Sequence, residues 1–130
     1  SPFHTKEAFL SIGKTLRAAG FTTEQYHANV PTFGEWGWTI GTVMGQSATA
    51  RIAGNTAPPV LSSWLSKEQI LASFIFSPAF FNGVDTIKIN TLGSHTLHRY
   101  HQEAWRQREG VFFASKKTVA KSHNMEYINN

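Results

Sequence analysis

The sequence predicts an α+β fold: a helix, an antiparallel β-hairpin, then C-terminal helices. Three observations carry that expectation. Ala8, Phe9, Ile12, Leu16 and Ala19 recur at helical spacing within residues 5–19. Two runs rich in β-branched and aromatic residues, at 22–30 and 38–44, flank a short stretch with a proline and two glycines. Further helical patterns follow at 65–76 and 94–108.

Each element has its own local reasons. Thr5 can cap the first helix through its hydroxyl, and Gly20, just past the last periodic residue, suits a left-handed C-terminal cap. Pro31 has no N–H to give a ladder, so the first strand ends near it. Residues 46–59 are small and polar and close on a double proline, which predicts a surface loop. Ser66 caps the second helix with support from Glu68, and Ile70, Leu71, Phe74 and Ile75 form its buried face. Residues 77–83 break that helix, and 86–89 are too few to type. In the third helix Leu97, Tyr100, Ala104 and Trp105 make the apolar stripe. No repeat or second domain is visible: residues 1–115 read as a single domain and 116–130, polar and weakly patterned, as a frayed tail.

A chain of 130 residues holds one domain or a piece of one, and 41% hydrophobic residues with ten phenylalanines suffice for a core. The absence of cysteine excludes a disulfide framework and a thiolate metal site, and fits a cytoplasmic setting. A net charge of +4 is mild. Lys116, Lys117 and Lys121 are sparser than the basic stripe of a nucleic-acid domain, so no nucleic-acid partner is expected. No apolar run approaches a membrane span, and the N-terminus lacks the apolar segment of a signal peptide. A start at Ser1 rather than methionine reads as a processed or cloned segment.

The stretch VPTFGEWGW, residues 30–38, concentrates three aromatics and two glycines at the turn. Phe33, Trp36 and Trp38 either fill a core or wall a ligand pocket. An aromatic face holds an alkylammonium by apolar contact and cation–π attraction, about 0.5–2 kcal/mol. Glu35 at the same tip is either an exposed turn residue or a partner for an amine. Trp38 points away from Gly37 and is expected to pack under the first helix. His27 reads as a satisfied core or pocket histidine. His95, His98 and His101 recur every third residue, whereas metal helices favour spacings of four with a carboxylate from elsewhere. An exposed helix face is the simpler reading. No nucleophile–histidine–carboxylate arrangement can be argued, because no serine stands in a nucleophile-elbow context.

Four pieces together resemble one family: SPFHTKEAF at the start, AAGF closing the first helix, YHANVPTFGEWGW at the turn, and IKINTLGSHTLHRYHQEAW later. They resemble the C-terminal part of the bacterial spermidine synthases (polyamine aminopropyltransferases), particularly the larger members fused to membrane-spanning segments. The likeness covers roughly residues 1–108. It implies a fragment of a class I methyltransferase-like Rossmann fold, in which the Ser-Pro start follows the fifth strand and the hairpin completes the sheet. It also implies aminopropyl transfer from decarboxylated S-adenosylmethionine to a diamine. Trp36 then matches the tryptophan walling the diamine pocket, Phe33 stands where the family has a pocket tyrosine, and Glu35 joins them as a third substrate-binding residue. Phe33 lacks the tyrosine's hydroxyl, which removes one hydrogen-bond partner for an ammonium.

The family's cofactor-binding half is missing here. No glycine spacing of the GxGxxG kind occurs, and the family's acidic pair and catalytic aspartate lie upstream of the matched pieces. The expectation is a catalytically incomplete portion, inactive alone, with no catalytic, cofactor or metal residues of its own. The alternative is a non-catalytic binding or assembly module derived from the same fold. In either case the strand from Trp38 to Met44 would lose the neighbour that the missing half supplies. That unpaired edge predicts a homodimer.

Overall fold

The computed structural model describes residues 1–43, 45–55 and 63–126, with side chains to 111. Helix α1 spans Lys6–Ala18. Thr5 stands at its N-cap, but its hydroxyl donates to the Ser1 carbonyl (3.0 Å) instead of accepting from the helix. The cause is a tight N-terminal turn, in which the amides of His4 and Thr5 also close on Ser1. At the other end Gly20 takes φ +94°, and the amides of Gly20 and Phe21 return to Arg17 and Leu16, as a left-handed cap requires.

The chain then enters β1 (Thr22–Val30), turns through Pro31, Thr32 and Phe33, and returns as β2 (Gly34–Thr42). The strands pair antiparallel from Thr22↔Thr42 to Val30↔Gly34. The second strand therefore begins four residues earlier than the aromatic turn suggested, and Met44 lies outside the described residues. The turn is tight enough, Phe33 N–H to Val30 carbonyl at 3.0 Å, to draw Gly34–Gly37 into the ladder. Pro31 sits where no ladder donor is needed, and Thr32 carries a positive φ of 71°, unusual for a β-branched residue.

Residues 46–59 were expected to be a loop, but they contain helix α2, Ala48–Gly54. Ser47 caps it, accepting from the Ala50 amide, and the Glu24 carboxylate on β1 takes the Thr49 N–H (2.8 Å) and hydroxyl. The double proline lies outside the described residues. Helix α3, Lys67–Ala72, is shorter than the 65–76 expected. Ser66 caps it as predicted, but Gln69, not Glu68, completes the capping box. The helix stops early because the chain leaves it for the hairpin: the Ser73 carbonyl accepts the His27 N–H at 2.9 Å. Phe74 and Phe76 are half-buried there, while Ile75, expected in the buried face, is exposed.

Two short 3-10 turns follow, Pro78–Phe81 and Val84–Thr86, and then α4, Thr96–Glu126. This last helix starts two residues later than predicted and runs far past Arg108, into the stretch expected to fray. Residues 127–130 lie outside the described residues.

The core forms on α1. Phe9 and Leu10 are buried with Phe80, and Phe76, Val84 and Ile87 pack around them. Burial runs through Ala8, Phe9, Leu10, Ser11 and Gly13 while Ile12 stays exposed, because α1 is covered on two flanks. One flank meets the hairpin. The other holds residues 84–90 by hydrogen bonds: Ser11 Oγ to the Lys88 carbonyl (2.7 Å), and Lys14 Nζ to the carbonyls of Val84, Asp85 and Ile87. From this strap the Asn90 side chain accepts the Leu97 amide, so α1 sets where α4 begins. Among the described residues no helix is long and apolar enough to cross a membrane.

Candidate functional site

Alternation along the hairpin separates two faces. Gln25, His27, Glu35, Gly37 and Thr39 share the face toward α1; Tyr26, Ala28, Trp36, Trp38 and Ile40 share the other. Gly37 is the reason α1 comes so close. A Cβ there would sit 2.8 Å from the Phe9 ring and from Pro2. Trp38 is consequently not under the first helix, as the sequence suggested, but on the far face. There it stacks on Tyr26 (centroids 5.3 Å apart, 13° between planes), and Phe74 continues the row at 5.1 Å.

Trp36 extends this row toward the tip, 6.2 Å from Trp38 and 6.1 Å edge-to-face from Phe33. Phe33 is 72% exposed and Trp36 47%, so neither fills the core. Glu35 lies between them in sequence but faces the other way. With Phe33, Ser1 and His4 it lines a cavity of about 380 Å³, closed from α4 by His101, Trp105 and Arg108. Of the three residues singled out by sequence, Phe33 thus touches both neighbours' surroundings, while Trp36 and Glu35 occupy opposite faces. A larger cleft, about 590 Å³, lies along the start of α4 between Lys88 and Arg106, away from the tip.

Glu35 is neither free nor fully exposed. Its Oε1 meets Nδ1 of His27, the diagonal neighbour across the ladder, and the other imidazole nitrogen donates to the Ile75 carbonyl at 2.9 Å. Phe3 and Phe76 pack on the ring, at 5.6 and 4.5 Å between centroids. Burial works against a charge on His27. The Glu35 hydrogen bond, the Ile75 carbonyl and the negative charge of Glu35 outweigh it and raise the imidazole pKa above its usual value. His27 is therefore a satisfied histidine with a specific partner. Spacing alone hid that partner, since the two are eight residues apart; a register centred on the turn sets them diagonally across the ladder on one face.

The histidines of the last segment do not gather. His95 precedes α4 with φ 46°, His98 is exposed, and His101 accepts from the Trp105 indole N–H (3.3 Å). Trp105, expected in the buried stripe, is 49% exposed, with the Arg108 guanidinium 5.3 Å from its ring. Among the described residues no group of three or more His, Cys, Asp or Glu side chains could hold a metal ion.

The molecule is thus an α+β unit, a helix-backed hairpin that carries an aromatic row and a histidine-bound carboxylate to one end. Over 111 residues (85% of the chain) it is 45% identical to the polyamine aminopropyltransferase of Shewanella oneidensis, covering 19% of that protein. It is 48% identical over 99 residues to polyamine aminopropyltransferase 2 of Aquifex aeolicus, covering 76% of the chain and 19% of the relative. With the Mycobacterium tuberculosis polyamine aminopropyltransferase it shares 33% identity over 101 residues, 78% of the chain and 17% of the relative. Along about four-fifths of its length the chain is thus similar to one stretch of the polyamine aminopropyltransferases, as a fragment of that family would be, and it spans about a fifth of the length of the curated relatives it matches. No family model matches it, and no solved structure does.

Proposed function

We propose that this chain is the C-terminal portion of an aminopropyltransferase, and that its hairpin tip forms the diamine side of the active site. In that reaction an uncharged amine attacks the carbon beside the sulfonium of decarboxylated S-adenosylmethionine. The carbon–sulfur bond breaks, and the new secondary amine sheds a proton. The observation that carries the reading is the match to the aminopropyltransferases along four-fifths of this chain. Its placement at the tip is supported by a cavity that Phe33 and Glu35 both line, with Trp36 edge-to-face on Phe33 from the other side of the hairpin. Phe33 gives the alkyl chain an apolar wall, Trp36 backs that ring edge-to-face, and Glu35 gives an ammonium a counter-charge. The nucleotide-binding part of a methyltransferase-like Rossmann fold, decarboxylated cosubstrate included, is assigned to the rest of such an enzyme. No GxGxxG turn is present in these 130 residues. The chain alone is expected to transfer no aminopropyl group.

The test is a chimera in which this chain replaces the matching segment of the Shewanella oneidensis relative. Transfer to putrescine is the expected result; a folded chimera without transfer would overturn the reading.

The proposal extends to assembly. The His27 N–H leaves the ladder for Ser73, so His27↔Gly37 is a wide pair, and on β2 the backbone groups of Glu35, Gly37, Thr39 and Gly41 point away from β1. In a whole enzyme a neighbouring strand covers this edge. In the isolated chain a second copy pairs with it, giving a homodimer. Light scattering should then find a dimer, with the Gly37, Thr39 and Gly41 amides protected from exchange. A folded monomer exchanging those amides freely would refute it.

A further inference from the structure

The His27–Glu35 pair has a feature that packing does not require. The Ile75 carbonyl can only accept, so the His27 nitrogen facing it carries a hydrogen. In the neutral ring, Nδ1 would then turn a lone pair on the Glu35 carboxylate, acceptor against acceptor. The contact holds when a proton lies between the two groups, as a second proton on the ring or one on the carboxyl, or when another donor stands there.

We propose that His27 and Glu35 form a proton-linked amine site: a primary alkylammonium docks between the Glu35 carboxylate and His27 Nδ1, and His27 gives up a proton as it docks. The inference rests on the diamine reading of the tip and deepens it. The exchange balances. The Nδ1 proton goes to solvent, the freed lone pair accepts one ammonium N–H, and Glu35 accepts a second. No other bond forms or breaks. Room exists because Glu35 lines the 380 Å³ cavity, so its carboxylate can swing off the ring. Phe33 lines the same cavity and can lie along the alkyl chain.

The surroundings support an exchange at this pair rather than elsewhere. Against the imidazole itself, β2 presents Glu35 as the charged group, β1 presents the uncharged Gln25 and Asn29 on the same face, and residues 73–76 present a carbonyl and Phe76. The N-terminal segment presents Phe3, with His4 beyond it on the cavity wall. From α4, His101 and Arg108 face the cavity, and the Arg108 guanidinium lies over Trp105. An arriving ammonium therefore finds one carboxylate on the cavity wall, already neutralised by His27. Binding it means taking the place of a positive charge, and proton release does that without leaving the carboxylate bare.

The experiment uses the whole chain and putrescine as the probe. An alkylamine titrates near pH 10, so putrescine stays charged between about pH 5 and 8, where imidazole titrates. Imidazole resonances of His27 are followed by NMR through that range, with and without putrescine. Saturating putrescine should lower the His27 pKa, and reciprocally the affinity should rise about tenfold per pH unit while free His27 is protonated. Glu35→Gln should lower the His27 pKa without ligand and abolish the pH slope of binding. If Phe33 and Trp36 resonances move while His27 titrates unchanged and affinity is flat with pH, the inference is wrong and the diamine reading stands. If putrescine moves no tip resonance at all, the diamine reading fails and takes the inference with it.

Discussion

The two faces of the hairpin are built on opposite principles. Toward α1 the strands present Gln25, His27, Glu35, Gly37 and Thr39, few of them apolar, yet this is the closely packed side. Gln25 is buried, and its amide donates to the Phe9 carbonyl (2.6 Å) and to Thr39 Oγ1 (3.1 Å). The other face carries Tyr26, Trp36, Trp38 and Ile40, far more apolar area, and leaves much of it in reach of solvent. The lesson is that close approach here is set by the absence of a side chain at Gly37, close enough that Gln25 Oε1 is buried with no hydrogen-bond partner. The aromatic face, where Trp36 and Trp38 flank that glycine with large side chains, stays partly open to solvent.

The largest break of this contrast should come from filling the glycine. In Gly37→Val the new Cβ meets the Phe9 ring and Pro2 at 2.8 Å, ring and backbone-tethered atoms with little freedom to yield. A loss of about 3 kcal/mol is expected from overpacking. Ala28→Val adds similar bulk to the exposed opposite face and should stay within about 0.5 kcal/mol. Urea unfolding of both variants checks the pair. Equal losses would mean that the α1 side is no more tightly packed than the aromatic one.

How much of this could be read from the residues follows from the same contrast. The two strands and the first helix were legible because β-branched runs and helical spacing are local signals, and Gly20 and Ser66 announced their caps. The position of Trp38 was not. Alternation shows that Trp38 and Gly37 face opposite ways, but which face meets α1 depends on tertiary packing. Helix α2 was hidden by its neighbours: the glycine before it and the prolines after it outweighed a Ser47 cap and an alanine-rich turn. Helix α3 was overextended because Phe74 and Phe76 keep an apolar pattern while serving β1 instead of the helix. At the tip, Phe33 and Glu35 are near neighbours in sequence, whereas the cavity walls that α4 supplies come from some seventy positions away, beyond any local pattern.

A smaller effect should separate the faces by pH. The His27 pKa is raised in the folded chain, so its contribution to stability is full below the unfolded value of about 6.5 and is lost as pH rises through the folded value. Stability measured across that window should fall with pH in the native chain. Glu35→Gln removes the charge and offers the neutral Nδ1 an amide donor, so it should flatten the slope. A change on the aromatic face, such as Trp38→Phe, should leave the slope alone. A slope that survives Glu35→Gln would assign the pH dependence to some other group.

The smallest effect on stability is expected at Trp36, and that is what makes it informative. Its ring is 47% exposed and leans on Phe33 and Trp38 by edge and tilted contacts, so Trp36→Ala should cost under about 1 kcal/mol of folding free energy. If the ring walls the diamine, the same substitution in the chimera should weaken putrescine use by about 1–3 kcal/mol in kcat/KM, because a misplaced amine loses its line of attack. The KM for decarboxylated S-adenosylmethionine should change little, since that cosubstrate is assigned to the remaining four-fifths of the enzyme. Steady-state kinetics on both substrates, set beside urea unfolding of the isolated chain, separate the two roles. A stability loss of several kcal/mol with unchanged putrescine kinetics would return Trp36 to the packing of the hairpin.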